Sequence, residues 1–325
     1  HYSEALPEEH VPSPVHEEHF HRALARSATT VARLVGHVTD RLLATVGPRP
    51  VLVSLARGGT PVGVLVRRWA ALVRGVDLPH YAMSVVRGRG VDPNALAALT
   101  SGHDPASLVF VDGWTGKGAI VDELTAGLAA HAVPAYVVAL SDPAHVATLA
   151  GTREDLLVPS ACLTATVCGL VSRTVRRPDL VPDGGYDGAK YYPALAGGDR
   201  TATFLDAVSA RFETVAGEVA PGMAAAVTPD GPGDRRGPAY VAALARELGV
   251  GDRHRIKPGL GETTRMLLRR APEAVLLAPD AGPDAEHLRA MCHARGVPVR
   301  ELPGEAGGLP CPYRSVGLVR GRGPG

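Results

Sequence analysis

The 325-residue sequence has no long apolar run, and it contains few cysteines, lysines and aromatic residues. No stretch of about 18 uninterrupted apolar residues occurs, which argues against a membrane-spanning helix. The first residues lack the basic and apolar segments of a secretory signal. The four cysteines have no CxxC spacing, and nothing suggests an oxidising compartment. We therefore expect a cytoplasmic protein with no resident metal and no membrane partner.

Charge is also nearly balanced, with 34 basic and 33 acidic residues. A polyanionic partner would therefore have to meet local patches, because the net charge of +1 gives no overall attraction. Basic residues are almost all arginine, and the three lysines are Lys117, Lys190 and Lys257. Each lies in a glycine-containing motif, where a compact, flexible charge is poorly replaced by arginine. Chance survival of three codons remains the alternative.

Residues 1–48 are predicted to form an extended arm followed by a helix. Three prolines precede apolar residues that recur at helical spacing over 17–43. His16, His19 and His21 could bind a metal, but we interpret them as solvated side chains of a flexible arm.

Residues 49–216 alternate between short apolar strands and amphipathic helices. Strands are predicted at 51–55, 81–86, 108–111 and 135–140, and helices at 61–73 and 119–131. This order is typical of a parallel α/β sheet, which binds ligands at the carboxyl ends of its strands. A polar, glycine-rich stretch at 87–104 is expected to be a loop.

A proline- and glycine-rich linker is predicted at 217–238, followed by a small α/β/α unit at 239–325. In that unit, helices are predicted at 240–248, 262–270 and 285–295, and strands at 274–278 and 297–302.

The first glycine-rich motif follows the strand at 51–55. Gly58 and Gly59 allow backbone amides to approach a phosphate, and the helix that begins near Thr60 adds positive potential. Arg57 could add a charge-assisted contact. A plain strand-to-helix turn explains the same residues.

The second motif follows the strand at 108–111. Asp112 stands at the strand end, where a carboxylate can accept hydrogen bonds from sugar hydroxyls. The amides of the next turn and a threonine hydroxyl can form a nest for a phosphate monoester. The turn contains Gly113, Thr115, Gly116, Lys117 and Gly118. Neither a Walker loop nor a Rossmann fingerprint is present.

These two motifs resemble the pyrophosphate loop and the PRPP-binding signature of type I phosphoribosyltransferases. Residues 87–104 stand where that family has a mobile hood. Taken together, SLARGGTPVGVL, VVRGRGVD, FVDGWTGKGAI and YDGAKYY resemble the phosphoribosyltransferase-like proteins of bacterial tellurite-resistance stress operons. That family is also described as StiP cysteine protease-like, and the resemblance spans most of residues 15–215.

The resemblance implies a type I phosphoribosyltransferase-like sheet domain that transfers 5-phosphoribosyl from PRPP to a nitrogenous acceptor. Asp112, Arg57 and Lys117 would be catalytic, and Mg2+ would arrive with PRPP. The implied substrate-binding residues are Ala56, Arg57, Gly58, Gly59, Thr60, Arg87, Arg89, Asp112, Gly113, Thr115, Gly116, Lys117, Gly118 and Lys190. The family usually has two adjacent acidic residues where this sequence has Asp112 alone. This difference favours a second interpretation, a non-catalytic PRPP or nucleotide sensor that regulates RNA. A homodimer remains open.

Cys162 would be the nucleophile if the peptidase description applies. A cysteine nucleophile needs a histidine base, and no histidine lies between His145 and His254. A base could still come from a distant part of the sequence. We interpret Cys162 as a small buried side chain, with a thiol peptidase as the alternative.

The C-terminal unit carries a second basic, glycine-rich motif at 253–265. A helix start with flexible glycines and cations suits a phosphate backbone, although an ordinary solvated helix face would look similar. The motif resembles the PELOTA-type branch of the L7Ae-like RNA-binding domains, with Gly261 where asparagine is usual. This resemblance implies structured RNA as a partner. The implied RNA-binding residues are Lys257, Gly259, Gly261, Glu262 and Arg265.

Overall fold

A computed structural model describes residues 2–6, 8–9, 11–219 and 233–320. Most of the predicted linker, residues 220–232, lies outside the described residues. The described helices are α1 (Pro14–Thr45), α2 (Thr60–Arg74), α3 (Pro93–Gly102), α4 (Ala119–Ala129), α5 (Thr201–Ser209), α6 (Phe212–Ala216), α7 (Arg236–Glu247), α8 (Leu260–Arg269) and α9 (Glu286–Ala294).

The described strands of the N-terminal part are β1 (Val51–Leu55), β2 (His80–Met83), β3 (Val85–Val86), β4 (Gly90–Val91), β5 (Leu108–Trp114), β6 (Val137–Ser141), β7 (Leu149–Thr152), β8 (Val171–Val175) and β9 (Gly188–Tyr191). Those of the C-terminal part are β10 (Ile256–Pro258), β11 (Pro272–Leu277), β12 (Val299–Glu301), β13 (Glu305–Ala306), β14 (Leu309–Pro310) and β15 (Ser315–Val319).

A five-stranded parallel sheet forms the centre of the N-terminal part, in the order β2-β1-β5-β6-β7. The predicted α/β class is therefore confirmed. Every residue of β1 and β6 is buried, as expected for a parallel sheet that is covered on both faces. β5 extends beyond the predicted 108–111, because Trp114 still pairs with Ser141 of β6. This extension places Asp112 within the strand.

Helix α1 is longer than the predicted 17–43 and packs along the sheet and α2. Its first turn is capped by Ser13, whose hydroxyl accepts a hydrogen bond from the His16 amide at 3.4 Å. Gly36 lets α2 approach closely, since a Cβ atom there would lie 2.5 Å from Trp69 Cζ2. The indole N–H of Trp69 donates to Asp40 at 3.2 Å, so the polar group of this large buried ring has a hydrogen-bond acceptor.

The stretch at 87–104 is not the loop that we expected. It contains β4, which pairs with β3 in a hairpin, and the ten-residue helix α3. The Asp92 carboxylate caps α3 by accepting the amides of Asn94 and Ala95 at 3.0 and 3.1 Å, and Pro93 fills the first helical turn. The Asp-Pro signal was present in the sequence and was missed.

The C-terminal part contains a four-stranded sheet in the order β10-β15-β11-β12. β15 is antiparallel to both of its neighbours, and β12 is parallel to β11. Helices α7 and α8 pack on strands of this sheet, and α9 packs on α8. Since α7 begins at Arg236, the end of the predicted linker is helical.

The two parts share one apolar core. Phe20 and Leu24 of α1 belong to the same buried cluster as Leu260 and Met266 of α8 and Leu288 of α9. The C-terminal part therefore packs directly on α1. Within the described ranges, the helices include none with the length and apolar composition needed to cross a bilayer.

Candidate functional site

A cavity of about 1110 Å3 lies at the carboxyl ends of β1 and β5, with further walls from the N-terminal arm, α8 and the chain around a 3-10 turn, Pro159–Cys162. The predicted site residues that line it are Ala56, Arg57, Gly58, Arg87, Asp112, Thr115, Gly116, Lys117, Gly118, Lys257, Glu262 and Arg265. Those outside its wall are Gly59, Thr60, Arg89, Gly113, Lys190, Gly259 and Gly261. Residues that we predicted to bind PRPP and residues that we predicted to bind RNA thus line the same cavity.

Basic side chains dominate the wall of this cavity. The basic residues are Arg57, Arg87, Lys117, Arg173, Lys257, Arg265, Arg269, Arg270 and Arg295. The acidic residues are Glu8, Glu9, Asp112 and Glu262. Because the cavity has low-dielectric walls and an excess of positive charge, it favours an anionic ligand.

Lys117, the predicted phosphate-binding lysine, contacts the C-terminal part. Its Nζ donates to the carbonyl oxygens of Arg253 and Ile256, each at 2.9 Å. Burial, and then the nearby charge of Lys257, lowers the pKa of Lys117 to about 7. The ammonium that would neutralise a phosphate is therefore bonded to protein carbonyls and is only partly protonated at neutral pH.

Gly116, in the predicted phosphate nest, is covered by Glu262 of α8. A Cβ atom at Gly116 would lie 2.9 Å from Glu262 Cγ, and the Tyr313 hydroxyl donates to the Gly116 carbonyl at 2.9 Å. Burial alone would raise the pKa of Glu262, but the charges of Lys257, Lys117, Arg265 and Arg87 together lower it. An ionised carboxylate thus occupies the hollow and would repel a phosphate there.

Asp112 is the predicted sugar-binding carboxylate. One of its oxygens accepts a hydrogen bond from the Gly113 amide at 2.8 Å. Burial raises the pKa of Asp112 to about 7, although the hydrogen bond from the Gly113 amide and the charge of Arg265 act to lower it. The group is therefore about half protonated at neutral pH, which makes it a weaker charged anchor than we expected.

Arg57, the predicted pyrophosphate-binding residue, is paired with the arm. Its Nη2 donates to Glu9 Oε1 at 2.6 Å, and its Nη1 donates to the Val171 carbonyl at 2.7 Å. Arg269 also donates to Glu9, and the Thr164 hydroxyl donates to Glu9 Oε2 at 2.8 Å. Glu9 was not among the predicted site residues, because its partners lie 48 or more residues away along the chain.

The predicted RNA-binding loop faces the N-terminal part. A Cβ atom at Gly261 would lie 2.6 Å from the indole of Trp114, and the Arg265 guanidinium lies 5.7 Å from the centre of that ring. The Asp155 carboxylate accepts the Leu260 amide at 2.9 Å at the start of α8. Lys257 is buried as well. These contacts cover the loop in this conformation.

Cys162 lies on the wall of the large cavity with 2% of its surface exposed. Burial raises the pKa of its thiol to about 12. Of the four cysteines, all of which the structure describes, Cys162 is the one that lines this cavity. The Cys168 thiol instead donates to the Thr164 carbonyl at 3.2 Å beside a smaller cavity.

Histidines of α1 lie in the same region. His16 lines the large cavity, its Nδ1 lies 3.0 Å from the Ser13 hydroxyl, and burial lowers its pKa. His19 is buried beside His287, whose Nε2 lies 2.6 Å from the Thr264 hydroxyl. No group of three or more metal-ligating side chains occurs among the residues that the structure describes.

Two family models match the chain. The model for the tellurite-like stress resistance cysteine protease StiP matches residues 1–209, and the PELOTA RNA binding domain matches residues 235–321. A curated relative, "Cysteine protease StiP" of Acinetobacter baylyi (strain ATCC 33305 / BD413 / ADP1), is 32% identical over 339 residues, with 100% of this chain and 86% of the relative covered. The chain therefore belongs to the StiP family. No solved structure matches it.

These matches correct the principal functional prediction. The family and the relative are described as cysteine proteases, so the interpretation as a PRPP-dependent phosphoribosyltransferase is wrong. The phosphoribosyltransferase-like assignment of the fold likewise has no support, whereas the parallel α/β sheet stands. The covering of Gly116 by Glu262 agrees with this correction. Ligand binding by the individual cavity residues, and Mg2+, remain untested predictions.

Proposed function

We propose that this protein is a cysteine peptidase in which Cys162 is the nucleophile and the large cavity holds the peptide. The observation that carries the proposal is the position of Cys162 on the wall of a cavity of about 1110 Å3, in a chain of the StiP family. The other buried cysteines, Cys168 and Cys292, do not line that cavity.

His16 is the general base in this proposal. It lines the same cavity as Cys162, and α1, which carries it, packs against the 3-10 turn that carries Cys162. Burial and then the charge of His19 lower the pKa of His16, so its imidazole is neutral and able to accept a proton at neutral pH.

The pKa of about 12 means that the Cys162 thiol is protonated at neutral pH in this conformation. Attack would therefore move the thiol proton to the imidazole as sulfur bonds to the scissile carbonyl carbon. The imidazolium would then return that proton to the leaving amine as the C–N bond breaks. Water would hydrolyse the resulting thioester, which regenerates the thiol and releases the carboxylate product.

A peptidase assay with matched variants tests this assignment. Cys162→Ala and His16→Ala should each lower the cleavage of an unstructured protein such as casein by at least about 100-fold. Cys168→Ala removes a buried thiol outside the large cavity, and His21→Ala removes an exposed histidine of the same helix. Both controls should keep wild-type activity. Equal activity in Cys162→Ala and wild type would exclude Cys162.

We also propose that the C-terminal part binds structured RNA, because the PELOTA model matches residues 235–321. Binding through Lys257, Gly259, Gly261, Glu262 and Arg265 requires that α8 separates from Trp114 and Gly116. RNA binding and the closed arrangement would therefore compete.

A further inference from the structure

The carboxylate of Glu9 is bound by three side chains of the cavity wall. Arg57 donates to one oxygen at 2.6 Å, the Thr164 hydroxyl donates to the other at 2.8 Å, and Arg269 adds a second guanidinium. The Glu9 side chain is 5% exposed. Burial alone would raise the pKa of Glu9, but the charges of Arg57 and Arg269 outweigh it, so the bound group is ionised.

Arg57 is fixed before any ligand arrives. Its side chain is 3% exposed, and Nη1 is anchored on the Val171 carbonyl. Its Nε is buried and has no hydrogen-bond partner among the described residues. A buried donor without an acceptor is costly, and an added polar group would satisfy it. The guanidinium is therefore held in place by Val171, with Nη2 directed at the carboxylate of Glu9.

Two neighbouring arginines make an anion at the position of the Glu9 carboxylate more favourable. Burial, and then the charge of Arg57, lowers the pKa of Arg269 to about 10. The same two causes, in the same order, lower the pKa of Arg265. Since these guanidiniums repel one another, the Glu9 carboxylate that contacts both Arg57 and Arg269 stabilises that pair. Glu9 supplies one such charge to a wall that carries an excess of basic residues.

One of the residues that bind the Glu9 carboxylate is close in sequence to the candidate nucleophile. Thr164, which donates to Glu9, is two residues after Cys162, and both residues line the same cavity. The arm that carries Glu9 contributes Glu8, Val11 and Pro12 to the same wall. The described residues of the arm therefore form part of the wall of the cavity that Cys162 lines.

We propose that Arg57, Arg269 and Thr164 form a subsite for the acidic side chain of a peptide substrate, and that Glu9 of the arm fills this subsite until substrate displaces it. The link to cleavage rests on the proposed peptidase function. Binding of an acidic peptide does not, because it needs only the two arginines and the hydroxyl. The substrate class is thus a peptide with glutamate near the scissile bond.

A binding experiment on the full chain tests the acidic subsite separately from cleavage. The probe is the fluorescein-labelled decapeptide EALPEEHVPS, which copies residues 4–13 and is amidated so that only side chains supply carboxylates. Binding is measured by fluorescence anisotropy to Cys162→Ala protein, which cannot consume the probe through that thiol. Glu9→Gln in the protein should tighten binding about 10-fold or more, because the competing charge-assisted contacts are lost.

Two controls matched to Glu9→Gln, one in the protein and one in the probe, test whether the effect depends on this particular carboxylate. Glu18→Gln removes the same charge from an exposed residue of α1 that does not line the cavity, and it should leave binding within about 2-fold. In the probe, glutamine in place of the second of the two adjacent glutamates should weaken binding about 10-fold or more, and the same change at the first should not. Arg269→Ala, at a partly exposed position that should tolerate truncation, should abolish the gain caused by Glu9→Gln.

Equal binding by the Glu18→Gln and Glu9→Gln proteins, or by the two glutamine probes, would overturn the subsite. If glutamate-dependent binding is found but Cys162→Ala still cleaves casein, the subsite stands and the peptidase assignment fails. If Cys162 is required for cleavage but binding ignores Glu9, the peptidase stands and the subsite fails. Thermal unfolding of each variant confirms that the fold is retained.

Discussion

The side chain of Glu262 rests on the backbone of Gly116, where a Cβ atom would lie only 2.9 Å from Glu262 Cγ. This contact joins the turn after β5 to the start of α8. Tyr313, which lies in the segment before β15, donates to the Gly116 carbonyl and fixes the same turn. A turn that we expected to bind phosphate therefore binds protein.

Gly116→Ala should weaken the contact between the two parts. The added methyl group must displace the buried Glu262 side chain, and overpacking of this kind costs about 1–3 kcal/mol. We expect a lower free energy of unfolding in urea. Gly102→Ala is the matched control, because nothing lies within 4 Å of a Cβ atom there. A destabilisation that is equal in the two variants would contradict the packing described.

Asp112→Asn should stabilise the protein increasingly as pH rises from about 4 to about 7. The pKa of Asp112 is raised from 3.8 to about 7 in the fold, so the native state binds more protons than the unfolded state in that window. Wild type therefore loses stability from this group as pH rises, by up to about 4 kcal/mol. The amide mimics the protonated acid and avoids this loss.

The measurement is the difference in unfolding free energy between Asp112→Asn and wild type at pH 4, 5, 6, 7 and 8. We expect a difference that grows up to about pH 7 and then stays constant. A difference that is the same at every pH would show that Asp112 titrates normally in the fold.

Alkylation of the native protein should label Cys311 before Cys162. Cys311 is partly exposed, whereas Cys162 is buried and has a pKa raised to about 12. Only the thiolate reacts, so the labelling rate of Cys162 at pH 7–9 should rise about tenfold per pH unit. Iodoacetamide labelling followed by peptide mass spectrometry gives the order. Prior reaction of Cys162 would show that its thiol is exposed and activated in the resting protein.

RNA binding through α8 should expose the indole of Trp114. That ring packs on Gly261 and lies under Arg265 in the closed arrangement. With Trp69→Phe, the fluorescence comes from Trp114 alone, because the chain has two tryptophans. We expect a structured RNA to shift this emission to the red. Binding with no change in emission would place the RNA on another surface.

Much of the fold could be predicted from the sequence, because local patterns specify it. β1 was predicted with its observed bounds, and the alternation of strands and helices gave the parallel sheet. The contact between the two parts could not be predicted. Gly116 and Gly261 look the same in a sequence whether they admit a phosphate or a neighbouring side chain. The same ambiguity led to the wrong activity.

The candidate site was predicted in part. Asp112, Lys117, Glu262 and Arg265 do line one cavity, although they come from two motifs about 140 residues apart. Glu9 carried no signal, since an isolated glutamate in a proline-containing arm is typical of a solvated segment.

If Cys162 is the nucleophile, it forms a covalent acyl intermediate with the substrate. An activated ester of an N-acetylated, glutamate-containing peptide is mixed with the protein and quenched in acid within seconds, and the protein is digested and analysed by mass spectrometry. We expect one acyl group on Cys162 in wild type and Cys168→Ala, and none in Cys162→Ala. Acylation of another residue, or ester hydrolysis that proceeds unchanged in Cys162→Ala, would contradict it.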